Sequence, residues 1–194
     1  SRAVGIHLAF APTVDVNNNP ANPVINVRSF GEDPLLVSAM GTAFVEGMQE
    51  VGVAATVKHF PGHGDTDTDS HNALPVVMAS PERLYALELV PFRAAIDAGA
   101  GAVMVALNSI NGVPASSNTW LLQDLLRKEW GFKGLTVSDH GAIFELIKHG
   151  VASNEREAAE LAIKAGIDMS MADQIYLKEL PELVRSGKVP MAVI

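Results

Sequence analysis

Residues 53–60 read Val53-Ala-Ala-Thr-Val-Lys-His-Phe60, a short apolar and β-branched run that ends abruptly in a cation and an imidazole. A run this continuous, rather than alternating, is what a parallel strand covered on both faces requires. Runs of the same kind recur at residues 5–12, 102–108, 134–139 and 166–171. Amphipathic stretches separate them, at about 34–50, 81–98, 119–129 and 155–164, with a fifth near 175–185. Ser80 before Pro81, and Asn154 three residues before Glu157, supply side-chain acceptors for the orphan N–H groups of two helix starts. Pro91 and Pro181 interrupt two helical patterns and are expected to kink or end them.

Five βα repeats in series mean an α/β protein with a parallel sheet. Periodicity alone leaves a closed barrel and an open doubly wound sheet both standing. The polar residues favour the barrel: Asp15, Lys58–His59, Asn108 and Ser138–Asp139 all fall at the C-terminal ends of strands. Four strands donating to one end fit a barrel mouth better than a single crevice. The expected fold is therefore a (β/α)8 TIM-type barrel, incomplete, with about five of its eight units present. No linker, repeat or low-complexity tract divides residues 1–194, so a single domain is expected.

With 14 basic against 22 acidic side chains the formal charge is −8. A basic face is lacking, so nucleic acid and anionic membrane surfaces are poor partners. No apolar run reaches the length of a membrane span. The absence of cysteine excludes disulfides and thiolate metal sites and leaves the compartment open. The N-terminus lacks the basic, apolar and small-residue regions of a signal peptide, yet it also lacks an initiator Met. The chain reads as cut from something longer.

The stretch Lys58-His-Phe-Pro-Gly-His-Gly-Asp-Thr-Asp-Thr-Asp-Ser-His71 concentrates three histidines and three aspartates just after a strand. It has three readings. One is a solvated polar loop, against which stand Lys58 and His59 at an apolar strand end, where unpaired burial is costly. A second is a metal site from His59, His63, Asp69 and His71, although a glycine-rich loop preorganises a metal poorly. The third pairs Asp69 with His71, a carboxylate raising the proton affinity of an imidazole to make an acid/base catalyst. Asp139 likewise has two readings, as a helix N-cap before Gly141-Ala-Ile or as a reactive carboxylate.

Taken together, Lys58-His-Phe-Pro-Gly-His-Gly64 with Asp69-Ser-His71, Phe10-Ala-Pro-Thr-Val-Asp-Val16, Asn26-Val-Arg-Ser-Phe-Gly-Glu-Asp33 and Trp130-Gly-Phe-Lys-Gly-Leu-Thr-Val-Ser-Asp-His-Gly141 resemble glycoside hydrolase family 3. The first half resembles its bacterial β-N-acetylglucosaminidase branch. Leu107-Asn-Ser-Ile-Asn-Gly-Val-Pro-Ala115, Val137-Ser-Asp-His-Gly-Ala-Ile143 and Gly166-Ile-Asp-Met-Ser-Met171 are similar to its β-glucosidases, a mixture that a splice of two parents explains. The resemblance implies a retaining mechanism with Asp139 as nucleophile and His71, oriented by Asp69, as acid/base. It places Arg28, Lys58 and His59 around the sugar, with Met104 and Asn108 lining the pocket. It implies a carbohydrate substrate, no cofactor and no metal. By family order the first two barrel strands and the last are absent. An incomplete barrel leaves strand edges and apolar helix faces unpaired, so 194 residues alone are expected to fold poorly or to associate with further copies.

Overall fold

The computed structural model describes residues 1–66 and 75–194. Eight strands occur among them: Leu8–Ala9 (β1), Ala54–Phe60 (β2), Val76–Val77 (β3), Ala102–Val105 (β4), Ser109–Ile110 (β5), Val113–Pro114 (β6), Leu135–His140 (β7) and Met169–Met171 (β8). Five of these form one parallel sheet in the order β1-β2-β4-β7-β8, a curled half-barrel. Among the described residues β1 and β8 do not pair with each other, so the arc is open. β4 ends three residues short of its expected range and β8 starts three residues late, while β2 and β7 match closely. The first does not: its ladder shrinks to two residues, followed by an isolated bridge from Thr13 to Lys58. A second small sheet, β3-β5-β6, went unforeseen because its strands are only two residues long.

Helices cover the outer face: Pro34–Glu50 (α1), Pro81–Ala86 (α2), Leu89–Asp97 (α3), Ala142–Lys148 (α4), Glu155–Ala165 (α5) and Ile175–Arg185 (α6). A further helix, Trp120–Glu129, is wound wider, with the Trp130 N–H reaching the carbonyl of Leu125. The expected single helix over 81–98 is split at Leu87–Glu88. Pro91 explains the split, because it cannot donate to the carbonyl of Leu87 and its ring would crowd that carbonyl. Pro181 does not end α6, since Leu177, whose carbonyl it deprives of a partner, lies in an exposed first turn. Both expected caps form: the Ser80 hydroxyl accepts from Arg83 N at 3.3 Å and Asn154 Oδ1 from Glu157 N at 3.0 Å.

The core lies between sheet and helices. Ala55 and Val57 of β2 and Val103 and Val105 of β4 face it, with Phe92, Leu121, Leu125 and Ile163 from the helices. Phe60 meets Phe92 and Trp130 edge-on, with ring centroids 5.4 and 5.8 Å apart. Each such aromatic pair adds about 0.5–1.5 kcal/mol beyond area burial, and together they pin the end of β2. Arg127 pins the other side, donating to the carbonyls of Phe132 and Gly134 and to the Asp168 carboxylate, which itself accepts from Thr136 N at 2.7 Å. That seam fixes β7 against β8.

Candidate active site

Two strand ends carry the site, and both are bulged. Between Val57 and Phe60 β2 advances three residues while β4 advances two, from Val103 to Val105. Between Val137 and His140 β7 does the same against Met169 and Met171 of β8. An extra residue re-aims side chains at a strand end. Here it turns Phe60 into the core and frees Lys58–His59 on one strand and Ser138–Asp139 on the other. The Lys58–His59 and Phe60–Pro61 peptide bonds are cis.

Asp15, fully buried, organises the β2 end. Its carboxylate accepts from the backbone N–H of His59 at 3.1 Å and of His63 at 2.7 Å, and from His59 Nδ1 at 2.8 Å. Burial alone would raise this carboxyl, but the electrostatic pull and hydrogen bonds of His59 outweigh it and hold the group below its ordinary range. With Nδ1–H given to Asp15, His59 Nε2 is left as an acceptor, and Arg28 Nη2 lies 3.2 Å from it. The same Nε2 stands 3.9 Å from Asp139 Oδ2. Lys58 is half-buried, and burial and the neighbouring Arg28 lower its pKa against the opposing pull of Asp139 and Asp15. The fold thus brings Asp15, Arg28, Lys58, His59 and Asp139 together from sequence positions more than a hundred residues apart.

Asp139 is not a helix N-cap. Its Oδ1 accepts from the N–H of the adjacent His140 at 2.7 Å, and α4 instead starts from Gly141, whose φ of 65° suits glycine. Oδ2 remains turned toward the His59 side. Ser138 faces away, its Oγ accepting from Met171 N at 2.9 Å. Met104 is buried and pairs in register with Val137, two residues before Asp139. Asn108 is buried beneath the loop after β2, with Nδ2 donating to the Gly62 carbonyl at 3.3 Å. Asp69 and His71 lie outside the described residues. His63 is buried with Nδ1 2.8 Å from the Thr66 hydroxyl, and burial lowers its pKa. Both ring nitrogens of His59 are engaged, one by Asp15 and one beside the Arg28 guanidinium, where a metal cation would meet like charge.

Sequence reasoning missed the residues that shape the stem 61–66. Asn22 Nδ2 donates to the carbonyls of His63 and Gly64, at 2.7 and 3.0 Å, while its Oδ1 accepts from Val24 and Ile25 N–H. One side chain so ties loop 13–33 to the stem, yet in sequence it reads only as a turn residue before proline. In the structure the stem glycines are packing positions. A Cβ on Gly64 would lie 1.6 Å from the Val16 carbonyl oxygen.

A family model described as the glycosyl hydrolase family 3 N-terminal domain matches residues 1–194. The chain belongs to this family. A periplasmic β-glucosidase of Salmonella typhimurium is 50% identical over 97% of the chain, which spans 25% of that relative. A β-hexosaminidase of Stenotrophomonas maltophilia is 45% identical over 71% of the chain, covering 42% of its own length. Among solved structures, a family 3 β-N-acetylglucosaminidase from Paenibacillus superposes with a TM-score of 0.90 at 43% identity, over 99% of this chain and 38% of that one. A Listeria innocua β-glucosidase bound to isofagomine also gives 0.90, at 37% identity, over 96% of this chain and 27% of that one. The chain therefore spans well under half the length of these relatives. The neighbours are TIM-barrel-type domains, and the expected α/β class and family both stand.

Proposed function

We propose that the polypeptide bearing this domain is a retaining β-glycosidase that releases a non-reducing terminal N-acetylglucosamine. One observation carries the reading: a strand-end carboxylate, Asp139, has one oxygen unoccupied by backbone and turned toward the His59 ring, whose Nε2 stands 3.9 Å away, with the charge of Lys58 nearby. Asp139 Oδ2 attacks C1 as the bond from C1 to the leaving oxygen breaks, and that oxygen takes a proton from His71. Asp69 raises the proton affinity of His71. Water then attacks C1, its proton passes to His71, and the bond to Asp139 breaks. Arg28 and Lys58 hold ring hydroxyls, and their cationic donors strengthen those contacts as charge develops.

Asp139→Ala tests the reading: turnover of a chromogenic β-glycoside should fall about 10⁴-fold or more, and undiminished turnover removes the assignment. A second reading, β-glucosidase activity, is favoured by the 50% identity to the Salmonella β-glucosidase. Side-by-side kcat/KM on matched N-acetylglucosaminide and glucoside substrates separates the two.

A further inference from the structure

Ser138 and Asp139 of β7 stand between its paired positions Val137 and His140, opposite Ser170, which alone separates Met169 from Met171 on β8. The bulge is these two residues. Asp139 carries the carboxylate, while Ser138 is fully buried. The Ser138 hydroxyl lies 2.9 Å from two backbone groups at once: it accepts from the Met171 N–H and donates to the carbonyl of Asp139. That uses its one donor and one of its acceptor sites. Alanine would occupy the same strand position with no polar atom to satisfy, so what the hydroxyl adds is those two bonds. The carbonyl it holds belongs to the Asp139–His140 peptide, which is trans. At the other side of that planar unit is the His140 N–H, the donor to Asp139 Oδ1 at 2.7 Å. In a planar trans peptide the C=O and N–H point opposite ways, so fixing one fixes the other.

We propose that Ser138 is a positioning residue for the nucleophile, its hydroxyl locking the Asp139–His140 peptide so that the His140 N–H holds Oδ1 and Oδ2 is left aimed at the sugar. The proposal rests on the glycosidase reading above. The chain of contacts is short and complete: Met171 N–H to Ser138 Oγ, Ser138 O–H to the Asp139 carbonyl, His140 N–H to Asp139 Oδ1. The Gly141 N–H, donating to the Met171 carbonyl at 3.0 Å, ties the far side of the bulge to the same residue of β8. A bulge disrupts the ladder where Asp139 sits, so a peptide left unheld there turns more easily and carries the carboxylate with it. Thr136, two residues earlier on β7, is the contrast. Its hydroxyl lies within hydrogen-bond reach of the Gly166 carbonyl and the Asp168 carboxylate, in the segment leading into β8, and not of the Asp139–His140 peptide. Ser138 touches no reacting atom and acts through Asp139.

The test reads the attack itself. Ser138→Ala, Ser138→Cys and Thr136→Val are made in the polypeptide bearing this domain, and single-turnover release of dinitrophenolate is followed from a dinitrophenyl β-glycoside of the preferred sugar. The bond from Oδ2 to C1 forms as the bond from C1 to the phenolic oxygen breaks, and the phenolate leaves with the electron pair and needs no proton. Misaiming the carboxylate in Ser138→Ala should lower the saturating rate about ten- to a hundredfold, the scale of loss that an ångström of misplacement brings. The half-saturating concentration should stay close to wild type, because Arg28 and Lys58 still hold the sugar. Ser138→Cys keeps the volume with a weaker donor and acceptor, so it should fall between. Thr136→Val should lower the urea midpoint comparably yet release phenolate at close to the wild-type rate. Wild-type rates in both Ser138 variants, or a rate loss in Thr136→Val as large as in Ser138→Ala, would overturn the proposal. Absent wild-type turnover, or turnover surviving Asp139→Ala, would instead sink the glycosidase reading. Amide exchange still decides the hydroxyl's part in that case: it should quicken at His140 and Met171 in Ser138→Ala, and unchanged exchange would show that the peptide is held without it.

Discussion

The ends of β2 and β7 present the two halves of the site by opposite means. The β7 end is built locally. Asp139 is turned by a bulge within its own strand, takes its hydrogen bond from the next residue, and is framed by the neighbouring strand. The β2 end is built from afar. His59 is aimed by Asp15, faced by Arg28 and followed by a stem tied down by Asn22 and Asn108. The contrast teaches that a carboxylate at a strand tip needs presentation with little else, whereas a buried imidazole needs a fixed tautomer and a fixed plane. Those require partners from several segments.

Substitutions at the two ends should therefore fail differently. Asp139→Ala should produce the largest effect on turnover, about 10⁴-fold or more, with an unfolding midpoint close to wild type because, among the described residues, the carboxylate's one hydrogen bond is to its neighbour's N–H. Asp15→Ala should reverse the balance, costing about 3–5 kcal/mol of stability in urea unfolding, because it strands buried N–H groups at His59 and His63. A stable Asp15→Ala protein would erase the distinction between the ends. Gly64→Ala should cost about 2–4 kcal/mol, since the new Cβ must displace the Val16 carbonyl; a wild-type midpoint would show that the stem yields easily.

Acid should sharpen the comparison. The folded-state carboxyl of Asp15 is held below its ordinary value, so its stabilising contribution is complete above the unfolded value of 3.8 and lost as pH falls through the lower folded one. Urea midpoints of wild type should decline below about pH 4, and those of an Asp15→Asn protein should decline less. The smallest effect is expected at a helix cap. Ser80→Ala removes the cap on α2 and should cost about 1 kcal/mol with turnover unchanged, measured in the same assays.

Much of this was legible in one dimension. The four long strand positions, the two capped helix starts and Asp139 at a strand end follow from apolar runs broken by polar residues. A helix start near Gly141 was legible but its cap was not, since α4 begins from an αL glycine rather than from the Asp139 side chain. The break at Leu87–Glu88 was legible in Pro91, but the burial of Glu88 was not, since nothing local distinguishes it from any surface glutamate. Asn22 looked like turn punctuation and proved to be a clasp. Both bulges were invisible, because a bulge is a mismatch between two strands and cannot be read from either alone.

The sequence by itself determined the α/β class and the chemistry available at each strand end, because those depend on residue type and on periodicity, while the family came from its motifs alone. Only the tertiary structure decided which groups meet: that Asp15 takes His59 Nδ1, and that Arg28 and Asp139 converge on its other nitrogen. The physical reason is that hydrogen bonds and charge interactions fall off within a few ångströms. Their partners are set by where the chain returns in space, and no local pattern records that.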